Sequence, residues 1–144
     1  MDDWQVVREL IVQYSDIDAN RHLNNVAVFR IFQDSRSYLM QRLREDITRR
    51  TGGTLVVAHV GVDFRGTALL GERLDSAVQL RGVGNKSFEL LFVLRRADGG
   101  ALVAEGKAVC CVQGPEGRAV SLDPLRDSLA RLGELRLRER LARL

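Results

Sequence analysis

The sequence predicts an α+β chain in which one long apolar helix is wrapped by an antiparallel sheet. Three observations carry this. Apolar residues recur at spacings of three and four between residues 26 and 47. From Val56 onward the spacing becomes two, in long runs separated by short glycine turns. An apolar, β-branched run precedes the helix. A helix broad enough to be buried and a sheet long enough to cover it form a two-layer domain.

Residues 5 to 14, QVVRELIVQY, read as the first strand. Val26, Phe29, Phe32, Arg36, Leu39, Leu43 and Ile47 then follow helical spacing. Val28, Ile31 and Met40 widen the apolar surface, so the helix is embedded on several sides. Over residues 26 to 46 it is about 31 Å long. Asn24 or Asn25 caps its start, and Thr51-Gly52-Gly53 ends it. Val56 to Arg65 and Arg73 to Arg81 alternate as strands, with a turn at Gly82-Val83-Gly84-Asn85. Residues 88 to 95 and 101 to 112 form the next two strands, joined at Asp98-Gly99-Gly100. Pro124 opens a C-terminal helix. Leu125, Leu129 and Leu132 form one stripe on it. Leu137, Leu141 and Leu144 form a second, rotated by roughly 120°, with a kink or break at Gly133. Outer apolar positions such as Leu91 and Val93 need cover, which sheets associating across a two-fold would supply.

The 144 residues suit one domain, with a core over residues 5 to 121 and a helical tail over residues 124 to 144. A formal charge of +3, with acids interspersed among the basic residues, argues against nucleic acid. MDDWQVV lacks the basic start of a signal peptide, and no apolar window suits a membrane span. The expected setting is cytoplasmic. Adjacent Cys110 and Cys111 point to opposite faces of a strand and serve as small apolar fillers. No spacing suggests a metal site, and no cofactor is expected.

Between the first strand and the helix lies YSDIDANRHLNN, residues 14 to 25, crowded with polar groups. The pattern Tyr14-x-Asp16-x-Asp18-x-Asn20-x-His22-x-Asn24-Asn25 at a strand-to-helix junction resembles the hotdog-fold thioesterases. The nearest branches are the 4-hydroxybenzoyl-CoA thioesterase-like and acyl-ACP thioesterase-like groups. The resemblance implies a five- or six-stranded antiparallel sheet around one central helix. It also implies a homodimer or homotetramer with active sites between subunits. It assigns the catalytic carboxylate to Asp18, and Asp18, Asn20 and His22 match the plant-type Asp-x-Asn-x-His. Tyr14 matches a tyrosine of certain bacterial members. Some bacterial members carry histidine at the position of Asn25. Val28 replaces the common helix tyrosine, and Thr67 and Ala68 stand near where the plant-type branch has Glu-Cys, so a full plant-type network is not assigned.

These residues suit thioester hydrolysis. Asp18 can serve as general base or nucleophile. Backbone N–H groups near Asn25 and Val26, at the helix start, can receive an oxyanion. His22 can orient water or bond the thioester, and Asn20 can hold Asp18 or the water. Asp16 reads as structural and Asn24 as a cap. His59 reads as a structural or interface residue. Lys86 and Ser87, after a glycine turn, are the best-placed contacts for coenzyme A phosphates, whereas Gly82 and Gly84 form no phosphate loop. The expected substrate is an acyl-CoA. Alternatives are an acyl-ACP thioesterase, a hotdog enoyl-CoA hydratase-like lyase and a non-catalytic acyl-CoA-binding module.

Overall fold

The apolar run after Trp4 forms β1 (Val6–Ile11) in the computed structural model, which describes residues 1–141. The helical period produces α1 (Asn25–Met40) and α2 (Arg44–Thr51). The alternating runs form β2 (Thr54–Phe64), β3 (Arg73–Arg81), β4 (Ser87–Arg96) and β5 (Leu102–Gln113). The tail forms α3 (Arg126–Gly133) and a short β6 (Leu137–Glu139). The six strands make one sheet in the order β2-β5-β4-β3-β1-β6, antiparallel throughout except for the parallel β1–β6 pair.

One face of this sheet packs on α1. Ile31, Phe32, Leu39 and Met40 of the helix meet Leu74, Val78, Leu90, Phe92, Leu94 and Ala108 in one core. The Phe32 ring stacks on Phe92, with centroids 5.1 Å apart. Gly106 permits this approach: a Cβ there would lie 3.0 Å from both the Phe32 ring and the Gly61 carbonyl oxygen. Within the core Ser35 and Ser76 share a hydroxyl hydrogen bond of 2.9 Å, so neither buried polar group is orphaned. Cys110 is also in this core, and burial pushes its thiol up to about 11. It and Cys111 are both free.

Three expectations are corrected. The long helix is not continuous to residue 46. The Leu43 N–H donates to Met40 O in a tightened turn, and the Arg42 guanidinium closes on Tyr38 O at 2.9 Å. The Tyr38 and Met40 carbonyls at the end of α1 are thereby satisfied, and α2 leaves in a direction that buries Leu43 and Ile47. The sheet is mixed, because the second leucine stripe is not helical. The chain breaks after Gly133, as expected, and the Leu137 N–H then donates to Gln5 O at 2.7 Å, covering the open edge of β1. Leu144 of that stripe lies outside the described residues. Lastly, Val93 needs no second molecule: it is buried with Val7 and Ala77 behind the sheet, under Met1, Trp4 and Leu102. Leu91 stays half-buried in an outer cleft.

α3 is pinned to α2 by a 2.7 Å hydrogen bond from the Ser128 hydroxyl to Asp46, which holds the Asp46 carboxyl below its usual range. α1 runs antiparallel to β2. Phe29 near its start meets Phe64 at the strand's end, and Arg44 and Thr48 of α2 line a cavity with Thr54 and Leu55 at the strand's start. None of the described helices is long and apolar enough to cross a membrane.

Candidate active site

The polar segment folds back on itself before α1 begins. Tyr14–Asp16 forms a 3-10 turn, and Ile17 then bridges Leu23. The loop between them is closed by the Asp18 N–H donating to His22 O (3.0 Å) and the Arg21 N–H donating to Asp18 O (2.9 Å). Arg21 takes φ +64°, the sole non-glycine residue in the left-handed region among those described. The segment is stitched to the chain before β3 by the Leu23 N–H on Ala68 O and by a bridge between His22 and Leu69.

Within this loop the two aspartates differ. Asp16 is 5% exposed, and both of its oxygens are occupied: Oδ2 accepts from the Gln13 N–H at 2.9 Å and Oδ1 from Arg30 at 2.6 Å. It is a structural tie between the 3-10 turn and α1. Asp18 is exposed. Its Oδ1 accepts from the Asn20 N–H at 2.9 Å and the His22 N–H at 3.3 Å. Among the described residues no donor reaches Oδ2. Asn20 and His22 thus touch Asp18 through their backbones, and their side chains make no hydrogen bond to it.

Asn24 is the cap of α1. Its Oδ1 accepts from the Val26 N–H at 2.6 Å and the Ala27 N–H at 3.4 Å. This narrows the expected oxyanion donors. The Val26 N–H is taken, while the Asn25 N–H has no acceptor among the described residues and lies where the helix potential is most positive.

A family model described as the thioesterase-like superfamily matches residues 12–131. The chain belongs to the thioesterase-like superfamily. Solved structures share its hotdog fold at low identity. YbaW, a probable thioesterase from Escherichia coli, aligns with a TM-score of 0.80 at 21% identity, covering 88% of this chain and 97% of that one. A thioesterase from Thermus thermophilus, complexed with coenzyme A and Zn, gives 0.78 at 24% identity over 95% and 100%. A 1,4-dihydroxy-2-naphthoyl-CoA thioesterase from Synechocystis gives 0.74 at 17% identity over 86% and 94%. No curated protein matches by sequence search.

In this thioesterase-like chain Asp18, Asn20, His22 and Asn25 sit together at one end of the sheet, next to the start of α1. Tyr14 is at the same junction and 81% exposed. Lys86 and Ser87 are not there. Ser87 pairs at the far end of β4, whereas the segment that holds His22 leads into β3 opposite Arg96, about 30 Å away at strand rise. The periodicity reading missed Phe29. Its spacing marked it as core, yet it is 45% exposed, edge-on to Phe64 with centroids 6.4 Å apart. With Val26 (73% exposed) and Val60 (42% exposed) these rings leave an apolar flank between α1 and the outer strand β2. The signal available was its place at the rim of an apolar arc wider than one sheet face needs.

Proposed function

We propose that this protein hydrolyses acyl-CoA thioesters to the free acid and coenzyme A. One observation carries the reading: an exposed carboxylate, Asp18, is held by its own loop with one oxygen free, in the segment that leads into a helix whose first N–H, that of Asn25, is open. Membership of the thioesterase-like superfamily supports it.

Asp18 Oδ1 is fixed by two backbone donors, so Oδ2 is the oxygen available for chemistry. It either takes a proton from the attacking water or attacks the carbonyl carbon itself. The carbonyl oxygen becomes an oxyanion facing the Asn25 N–H. The carbon–sulfur bond then breaks, and the thiolate leaves and is protonated by solvent. As nucleophile, Asp18 would form an anhydride that water opens afterwards. His22 and Asn20 position water or thioester around it, and Tyr14 and the Val26–Phe29–Phe64 flank receive the substrate's apolar portion. The working unit is a dimer, or a tetramer built from dimers, in a cytoplasmic setting.

Thiol release measured over a panel from acetyl- to palmitoyl-CoA, with benzoyl- and 4-hydroxybenzoyl-CoA, tests this. Asp18→Asn keeps an acceptor for the two loop N–H groups while removing the base. Its turnover number should fall about 10²–10⁴-fold with little change in coenzyme A binding. Turnover equal to wild type would remove Asp18 from the chemistry.

A further inference from the structure

We infer that Arg36 reads the far end of the acyl group and selects acyl-CoA substrates whose chain ends in a carboxylate. The inference rests on the thioesterase reading above and names the substrate class for that site.

Val26, Phe29, Gln33 and Arg36 recur at spacings of three and four, so they form one stripe along α1. The stripe starts at the residue after Asn25, whose N–H is open, and turns from apolar to cationic along its length. β2 supplies the facing wall. Its register against β5 shifts between Val57 and His59, so odd positions before the shift and even positions after it meet the helices. Leu55 and Val57 line a cavity with Ile47 and Arg36, Val60 lines another with Phe29 and Arg36, and Phe64 meets the Phe29 ring edge-on. The bulge thus keeps one apolar row toward α1 and α2 along the whole strand.

Arg36 is common to both cavities. The one nearer the start of α1 is about 110 Å³, with Phe32 and Phe92 among its walls, and the further one is about 260 Å³. Arg36 is half-buried. Burial raises the Cys110 thiol, and the Arg36 charge is close enough to oppose that rise. Other helix arginines have carboxylate partners: Arg30 pairs with Asp16, and Arg49 with Asp46, each at 2.6 Å. Among the described residues no carboxylate lies within ion-pair distance of Arg36, and its side chain makes no hydrogen bond. A half-buried, unanswered guanidinium at the end of an apolar channel suits a carboxylate, which it can hold through two parallel hydrogen bonds. Along the axis Arg36 is about 16 Å beyond Asn25, and its side chain leans back toward the helix start. With the thioester carbonyl at the Asn25 N–H, the interval suits an acyl chain of about six to ten carbons. Val26, Phe29 and Phe64 flank its methylenes, and Arg36 meets its end.

Thiol release from suberyl-CoA and octanoyl-CoA, which differ only at the distal carbon, tests this. Wild-type kcat/KM should be about tenfold or more higher on suberyl-CoA. Arg36→Leu should fall about tenfold on suberyl-CoA and far less on octanoyl-CoA. Equal kcat/KM on the two substrates in wild type, or equal losses on both in the variant, would overturn the inference. Arg36→Gln, which removes the charge and keeps a polar side chain, decides by the same comparison where Arg36→Leu does not fold. Coenzyme A alone, titrated by calorimetry, should bind wild type and Arg36→Leu with little difference. Binding weakened about tenfold would put Arg36 on the coenzyme A phosphates and overturn the assignment. Absence of turnover on every thioester would end the thioesterase reading, but two thioethers of coenzyme A that resist hydrolysis, ω-carboxyheptyl and octyl, still decide this one. Wild-type affinity about tenfold higher for the carboxylate-bearing thioether, and lost in Arg36→Leu, supports it; equal affinity overturns it.

Discussion

Asp16 and Asp18 are two residues apart and are held in opposite ways. Asp16 is enclosed and spends both oxygens on the chain itself, whereas Asp18 keeps one oxygen free in an exposed loop. Asp16→Asn therefore belongs to stability. It weakens the charge-assisted bonds to the Gln13 N–H and to Arg30, and the loss should be about 1 to 2 kcal/mol in urea unfolding, moderated because Arg30 is 55% exposed. Asp18→Asn should unfold at the wild-type midpoint. A swap of these two outcomes would reverse the assignment of roles. The sequence shows both aspartates in one alternating string, and residue type alone does not separate them. The discriminating contact is Arg30, 14 positions away and brought back by the first turns of α1. Asn24 was more legible, because a cap acts within three residues of itself.

At the scale of elements, the joint between α1 and the sheet depends on one absent side chain. Gly106→Ala places a methyl 3.0 Å from the Phe32 ring and 3.0 Å from the Gly61 carbonyl oxygen, and both sit in packed structure. The variant should lose about 1 to 3 kcal/mol in denaturant unfolding, and Phe32→Leu in the same chain should recover part of it. A neutral Gly106→Ala would mean that the helix is not seated as described. Strands β2 to β5 were legible to within a few residues because each is a run of nine or more residues, apolar-rich and bounded by glycine turns or loops. The break after Met40 was not: no glycine or proline marks it, and the apolar spacing runs on through Leu43 and Ile47. β6 was not legible either, since three residues are too few to display a period and Leu137 fits a helical stripe equally well.

Across the whole molecule, the core imposes a dependence on alkaline pH. Cys110 is fully buried, and burial raises its thiol from 9.0 to about 11. The folded chain holds this proton over a range where the unfolded chain has released it, so the contribution is complete below pH 9 and lost as pH rises toward 11. Wild type should lose about 2 to 3 kcal/mol more than Cys110→Ala between those limits, measured as the difference in unfolding free energy. Equal slopes would place the thiol in contact with solvent. The mixed sheet carries a different consequence, one of time. Val6 pairs with Leu137, so the outer edge of β1 is covered by residues made 131 positions later. At about 5–20 residues per second, roughly 7 to 26 s of synthesis separate the two partners. Throughout that interval the nascent chain presents β1 with its β6 side bare, and the sheet reaches its final order only once Leu137–Glu139 is delivered.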